Sequence, residues 1–434
     1  MEKYKFSKYN VFKQFDKETV VVCNLFTKNI FGLDISKYQM LMQNAMKLSI
    51  IENKNPYLLS ALRKLGVIVD NEIDELNKIV MIHRRQIYDN QTYRITVLPT
   101  LDCNFHCPYC FEQKVKGTMR SETSDNVINW ISQYPNISNI RITWFGGESL
   151  LAPDVIQYFT EKLKEKTQAT LEKNSIITNG YFLTEENIQM LEKCGINSIQ
   201  VSMDGIFEKH NCKRYTKTDK NTFETILSNI DTFDRLRLDM YLTIRIGVDK
   251  DNKNDYYEAQ EFFRNRYANK KISVVPAFII ETTKSCMESC VSDEQEKLEF
   301  YKVLSKKTSS KDFIYPSNNV EECAIRNFNS WVIDSKGDVY KCWEIIGNEK
   351  YKVGYIDANG MHISNQKILN RYLYGADPLE ETKCRECQLL PICSGGCPHK
   401  RIENKFNHKH FNVCTRFLDC LDDYLLHRNE LSNI

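Results

Sequence analysis

Three thiols crowd one short stretch, LDCNFHCPYCFE, at Cys103, Cys107 and Cys110, in the spacing C-x3-C-x2-C. Three thiolates on one loop can hold three irons of a 4Fe-4S cube and leave the fourth iron open to another ligand. A zinc site completed by a residue such as His106, or plain buried thiols, are the other chemistries these residues allow. A second array fills the last quarter of the chain. Cys323 is followed by thirteen residues, Gly337, four residues and Cys342; after 41 more comes C-x2-C-x5-C-x3-C at Cys384, Cys387, Cys393 and Cys397, and after 16 more Cys414. C-x2-C pairs are also generic zinc knuckles, and His399, His408 and His410 lie close by. The chain has 16 cysteines, and its start, MEKYKFSKYNVF, has neither the apolar segment nor the cleavage site of an export signal. A cytoplasmic location is expected, where cysteines serve metals or redox chemistry more often than disulfides.

The thiols need elements to position them. At roughly 100 to 200 residues per domain, 434 residues leave room for two to four domains. A hydrophobic fraction of 42%, a charged fraction of 27% and a mean hydropathy of -0.48 are those of a globular protein with a packed core. Lys plus Arg (59) nearly balance Asp plus Glu (57), so a net charge of +2 gives no electrostatic case for nucleic acid or an anionic membrane. No apolar run approaches the ~18 residues of a membrane span, and neither partner is expected.

Residues 1–90 read as a small α+β unit: a hairpin at TVVVCNLFT (19–27) and NIFGLD (29–34), helices at about 36–47 and 56–65, and a returning strand at 67–70. A structural cap is its plainest role. From 91 to 280 six strands are expected, at RITVLPT (94–100), IRITWFGG (140–147), SIITNG (175–180), SIQVSMDG (198–205), MYLTIRIGV (240–248) and ISVVPAFII (272–280). Helical stretches such as SDNVINWISQY, APDVIQYFTEKLKEK, TEENIQMLEKCG and FETILSNIDTFDRL separate them, which predicts βα units and a parallel sheet or partial barrel. In such folds the chemistry sits at the C-terminal strand ends. Pro99, Gly146, Gly147, Gly180 and Gly205 fall there, and the first cysteine loop follows the first strand. Residues 281–322 form a polar bridge, and from 323 to 434 the weak apolar periodicity suggests a region held together by metal.

With Tyr109 directly before Cys110, the first loop resembles the Cys-x3-Cys-x-aromatic-Cys signature of the radical S-adenosylmethionine (radical SAM) enzymes. The resemblance implies that Cys103, Cys107 and Cys110 hold a catalytic 4Fe-4S cluster whose open iron is chelated by S-adenosylmethionine. One-electron reduction then cleaves the sulfonium, and a 5'-deoxyadenosyl radical takes a hydrogen atom from substrate. Gly146, Gly147 and Glu148 resemble the family's GGE motif, which receives the cofactor's amino group. TNG (Thr178–Gly180) and VSMDG (Val201–Gly205) end the third and fourth strands. FEKHNCKRY resembles the segment that carries an arginine to the cofactor carboxylate, here Arg214, with Ser202 as a polar contact. A solvated charge and a strand-end hydroxyl are the plain alternatives for those two.

The C-terminal array matches the SPASM extension of the same family, which implies two auxiliary 4Fe-4S clusters and three in all. Carried over by position, Cys384, Cys387, Cys393 and Cys414 would ligate the outer cluster, and Cys323, Cys342 and Cys397 the inner one. The partner that some relatives have in C-x5-C before the array falls at Ser317 here. Either Cys286 or Cys290 is therefore the inner cluster's fourth ligand, or the inner cluster has an open iron that a substrate thiolate could occupy. Cys23, Cys194, Cys212 and Cys420 read as incidental thiols, with Cys212 closest in sequence to the cofactor segment. The implied fold is α/β: a partial (β/α)6 TIM-like radical SAM barrel between an N-terminal winged-helix-like α+β domain and a cysteine-rich SPASM domain.

SPASM relatives mostly act on peptides or proteins. The N-terminal unit resembles the RiPP recognition element, which binds the leaders of ribosomally made, modified peptides by adding a strand. These resemblances imply a peptide maturase that abstracts a hydrogen from a leader-bearing precursor and forms a thioether or carbon-carbon crosslink. Its electrons would come from an external one-electron reductant such as flavodoxin or ferredoxin. A sulfatase (formylglycine) maturase is the alternative within the family; such relatives place an aspartate after the second SPASM cysteine, where this chain has Trp343. Glu344 is then the candidate base. A peptide epimerase would need a hydrogen-donor cysteine, for which Cys212 is the candidate. A zinc-binding interaction protein explains the C-terminal cysteines and leaves the strand-end motifs without a reason.

Overall fold

The computed structural model describes residues 2–112, 114–134, 136–279, 290–291, 293–308, 323–414 and 420–432. The chain opens with strands β1 (Tyr4–Phe6), β2 (Asn10–Gln14), β3 (Thr19–Asn24) and β4 (Ile30–Asp34). Helices α1 (Ile35–Gln43), α2 (Ser49–Lys54) and α3 (Pro56–Lys64), strand β5 (Ile68–Asp70) and helix α4 (Glu75–Ile87) follow. The expected hairpin is β3 with β4, turning through Lys28 at φ 65°. β2 lies on the other side of β3, so the sheet runs β2-β3-β4, while β5 pairs with β1. Asp34, Asn55 and Asp74 accept hydrogen bonds from first-turn amides of α1, α3 and α4, which fixes where each helix starts. Asn24 is fully buried: its amide donates to Ser7 Oγ, Asn10 Oδ1 and the Gly66 carbonyl, and its Oδ1 accepts from Phe26 N and Thr27 N.

Next comes the alternation β6 (Thr92–Val97), α5 (Ser121–Ser132), β7 (Asn139–Trp144), α6 (Pro153–Lys166), β8 (Thr170–Thr178), α7 (Glu185–Lys193), β9 (Ser198–Met203), α8 (Phe207–Lys213), α9 (Thr222–Leu236), β10 (Tyr241–Val248), α10 (Asp255–Arg266) and β11 (Ile272–Phe278). All six expected strands form, in the parallel order β11-β10-β9-β8-β7-β6. β8 begins earlier than its apolar residues suggest, because Glu172 extends it and is held by a two-pronged bond from Arg141 at 2.8 and 2.9 Å. One row of side chains, including Ile95, Ile142, Trp144, Ile199, Val201, Met203, Ile244 and Ile246, is buried. Trp144 meets Phe159 of α6 edge-on at 5.4 Å, so this row faces the helices. The alternate row, with Thr96, Thr143, Gln200, Ser202, Thr243 and Arg245, is partly exposed and polar, and is left for the inside of the curved sheet.

After α11 (Glu294–Thr308), strands β12 (Ser330–Ile333), β13 (Asp338–Tyr340), β14 (Gly354–Asp357) and β15 (Gly360–Ile363) extend the same sheet. β12 pairs parallel to β6 and the rest run antiparallel, so regular structure exists where weak periodicity suggested a metal-held region. β12 is buried at every position and carries no alternation to read. Helices α12 (Gln366–Asn370), α13 (Thr382–Glu386), α14 (Leu390–Cys393), α15 (Pro398–Asn407) and α16 (Leu421–Ser432) complete the described chain. There are two compact units: Met1–Tyr88 with Asp293–Arg326 and Gly375–Ile434, and Asp89–Ser292 with Asn327–Tyr374, which holds the large sheet. The architecture is α/β with the parallel sheet of a partial barrel. Among the described residues no helix is long and apolar enough to cross a membrane.

Asn24→Leu strands several donors and acceptors of the first unit and is expected to cost at least about 2 kcal/mol in urea unfolding. A loss under about 0.5 kcal/mol, the scale of a neutral surface change, contradicts the role given to this side chain.

Candidate active site

The loop after β6 carries Cys103, Cys107 and Cys110, and backbone contact fixes it to the loop after β7. A Cβ on Gly147 would lie 2.1 Å from the Asp102 carbonyl oxygen, and one on Gly146, whose φ is 123°, would lie 2.4 Å from the Thr100 carbonyl oxygen. Gly147 N and Glu148 N donate to the Thr100 and Asp102 carbonyls at 3.3 and 2.8 Å. Both glycines are therefore required by close approach of main chain to main chain. The Glu148 carboxylate is buried and fully engaged: Oε1 accepts from Leu150 N at 2.9 Å and Thr178 Oγ1 at 2.7 Å, and Oε2 from Asn179 N at 2.7 Å. It ties the end of β7 to the TNG end of β8. Burial raises its pKa against these bonds.

The far side of the loop is held by the segment after α8. His106 N donates to the Tyr215 carbonyl at 2.9 Å, and Phe105, 1% exposed, bridges to Thr216 and packs its ring on Tyr181 at 5.9 Å. The Tyr109 hydroxyl donates to Asp204 Oδ2, which also accepts from Arg214 Nε at 2.8 Å. The Arg214 guanidinium lies 5.8 Å from the Tyr109 ring centroid. Asp204 is 1% exposed; its Oδ1 rests where a Cβ on Gly247 would come within 2.3 Å. The Arg214 guanidinium makes no further hydrogen bond among the described residues, so Nη1 and Nη2 are left to take an anion. Ser202 stands on β9 opposite Arg245 of β10. The Arg245 side chain makes no hydrogen bond or ion pair among the described residues, and burial together with the nearby Arg214 lowers its pKa.

Cys103, Cys107 and Cys110 form no disulfide. Burial pushes the Cys103 thiol up to about 12 and raises Cys107 and Cys110, so a metal must displace three protons to bind them. As placed, among the described residues no three Cys, His, Asp or Glu side chains are gathered closely enough to hold an ion. The donor chemistry still fits a cube with an open iron: three thiols on one pinned loop, with the buried atoms Asn104 Nδ2, Glu112 Oε2 and Asp204 Oδ1 lacking partners among the described residues. Glu344 sits half-buried in a short 3-10 turn, and the neighbouring Trp343 ring lies 5.5 Å from Phe145, just before Gly146. This sets the KCWE segment beside the strand ends of the barrel.

Cys290 and Cys342 belong to the barrel unit; Cys323, Cys384, Cys387, Cys393, Cys397 and Cys414 belong to the other. Cys286 lies outside the described residues. Cys290 is 4% exposed, and Cys212 is exposed on α8. Asp204, Arg245, Gly247 and Phe105 were not singled out by sequence. A glycine inside a strand does signal close backbone approach, which was the available hint for Gly247.

Gly147→Ala is expected to cost about 1–3 kcal/mol and to lower the iron retained by the first loop while circular dichroism is preserved; iron content equal to wild type contradicts the close-approach argument. His210, fully buried, accepts from Asp204 N, and burial lowers its pKa to about 3 from 6.5. The unfolded chain then binds more protons between those values, so this residue's contribution is present above pH 6.5 and lost as pH falls toward 3. In urea unfolding across that window, His210→Phe should show a shallower pH dependence than wild type; equal slopes contradict it.

Residues 97–263 match the radical SAM superfamily model. The chain is 23% identical over 355 residues to a cysteine-type anaerobic sulfatase-maturating enzyme of Clostridium novyi (strain NT), covering 73% of this chain and 90% of that one. Its fold is similar to that of histidine-tagged anSMEcpe with bound AdoMet (TM-score 0.60, 19% identity, 79% of this chain and 98% of that one). It is also similar to that of Streptococcus suis SuiB bound to precursor peptide SuiA (TM-score 0.52, 18% identity, 95% of this chain and all of that one). The cysteine loop after the first strand of the parallel sheet thus has the sequence pattern and the fold to which its chemistry belongs, and residues 97–263 of this chain form a radical SAM domain.

Proposed function

We propose that this enzyme modifies a peptide: it abstracts a hydrogen atom from a residue of a leader-bearing precursor and closes a thioether or carbon-carbon crosslink. The observation that carries this reading is the N-terminal unit. The antiparallel sheet β2-β3-β4 leaves β4 hydrogen-bonded on one side only among the described residues, the arrangement to which a peptide adds as a further strand. The likeness to SuiB, a protein seen with its precursor peptide, extends over 95% of this chain, against 79% for anSMEcpe. The first 88 residues, about a fifth of the chain, are more than the remaining 5% can hold, so the likeness reaches into this unit.

When bound, the 4Fe-4S cluster and S-adenosylmethionine supply a 5'-deoxyadenosyl radical. Cys103, Cys107 and Cys110 would hold three irons of the cube, and Gly146 and Gly147 keep their loop against the sheet. Asp204 pins Arg214 by Nε, so that Nη1 and Nη2 present a fixed fork to the cofactor carboxylate. Ser202 and Arg245 line the polar inner row, where an anionic group of cofactor or substrate would settle. Seven cysteines in the SPASM spacing hold the auxiliary clusters, and a one-electron reductant such as flavodoxin or ferredoxin supplies electrons in the cytoplasm.

Formylglycine formation is the second reading, favoured by the length over which the sulfatase-maturating relative aligns. Trp343 weighs against it, because an indole against Phe145 cannot serve as a base.

Replacing any of Cys103, Cys107 or Cys110 by Ala should abolish 5'-deoxyadenosine formation in anaerobic dithionite assays; undiminished cleavage refutes the assignment. Incubating the wild type separately with the product of a neighbouring short open reading frame and with a cysteine-bearing sulfatase peptide separates the two readings by mass spectrometry. Loss of two hydrogens from the former supports crosslinking, and an aldehyde on the latter alone supports formylglycine formation.

A further inference from the structure

A second charged cluster lies around Cys384, within the unit that contains Gly375–Ile434. Arg401 of α15 is 6% exposed, and all three of its side-chain nitrogens are engaged. Nε donates to the Gly395 carbonyl at 2.6 Å, Nη1 to Glu381 Oε1 at 2.6 Å and Nη2 to Cys384 Sγ at 2.8 Å. A buried guanidinium therefore spans the Cys384 sulfur and the turn between Cys393 and Cys397. In that turn Gly396 has φ 70°, and a Cβ there would lie 1.8 Å from the Val413 carbonyl oxygen, so the segment leading to Cys414 rests directly on it. The turn thus gathers the segments that carry Cys393, Cys397 and Cys414, and Arg401 joins them to Cys384.

We propose that Arg401 is a positioning residue that raises the reduction potential of the outer auxiliary cluster by donating a charged hydrogen bond to its ligand Cys384. The proposal rests on the reading that Cys384, Cys387, Cys393 and Cys414 ligate that cluster. Reduction adds one negative charge to a cube and its thiolates. A cation donating to one sulfur stabilises the reduced form more than the oxidised one, and hydrogen bonds to sulfur are among the levers that set cluster potentials. Glu381, on the opposite arm of the guanidinium, works against it. The two residues therefore have opposite expected signs, which separates an electrostatic effect from mere disturbance of the fold.

The test is a mediated redox titration of the full chain, reconstituted anaerobically in a Cys103→Ala, Cys107→Ala, Cys110→Ala background and followed by electron paramagnetic resonance. The outer cluster's signal is the one removed by a further Cys384→Ala. Arg401→Met should shift the equilibrium toward the oxidised form by about tenfold, or ~59 mV lower for a one-electron couple. Arg401→Lys, which keeps the charge and loses the fork, should fall between Met and wild type, and Glu381→Gln should move the potential upward. Full iron with an unmoved potential in both Arg401→Met and Glu381→Gln overturns the tuning role alone. A background protein with no signal that depends on Cys384 overturns the ligand reading, and the tuning role with it. Should Arg401→Met lose the cluster, Glu381→Gln decides: a raised potential supports the role, and a potential unchanged or lowered overturns it.

Discussion

The cysteine loop can sit where it does because two glycines let main chain touch main chain. Gly146 and Gly147 take the carbonyls of Thr100 and Asp102 at distances no side chain permits, and the amides of residues 147 and 148 bond to them. The loop after the first barrel strand is thereby locked onto the loop after the second. Glu148 then carries the constraint onward, since its carboxylate is spent on the end of the third strand. Three neighbouring strand ends become one platform, and the three thiols inherit its rigidity. In this chain the two glycines and the carboxylate are the joint on which the loop rests.

The charges beyond that joint are arranged to be incomplete. Asp204 takes one nitrogen of Arg214 and the hydroxyl of Tyr109, orienting a guanidinium without consuming it. Arg245 stands nearby on the polar inner row with no protein partner among the described residues. A half-buried cation with no bonded carboxylate is costly, and it is retained where a ligand supplies the missing charge. Around Cys384 the arrangement is the reverse: Arg401 is fully engaged, with Glu381 as its counter-ion and a thiol sulfur among its partners.

What the sequence reveals here divides by range. The six barrel strands were legible because each is a run of β-branched and apolar residues closed by glycine or proline, and the helices between them because their apolar spacing is local. The first cysteine loop was legible for the same reason, since its three thiols lie within eight residues. β12 was not, because all four of its residues are buried, and β1 and β2 were not, because YKF and NVFKQ are short and mixed with polar residues. Asp204, Gly247 and Arg401 escaped because each matters through a partner far along the chain: Arg401 reaches back to Cys384 and Glu381, and Gly247 matters only because Asp204 needs the space its missing Cβ leaves.

Under the proposed function the pinned loop presents an iron to S-adenosylmethionine. The most direct measurement is the electron paramagnetic resonance spectrum of the reconstituted, reduced full-length enzyme before and after addition of S-adenosylmethionine. The spectrum of the cluster of Cys103, Cys107 and Cys110 should change, with no change once any of the three is replaced by Ala. A spectrum indifferent to S-adenosylmethionine in the wild type contradicts it.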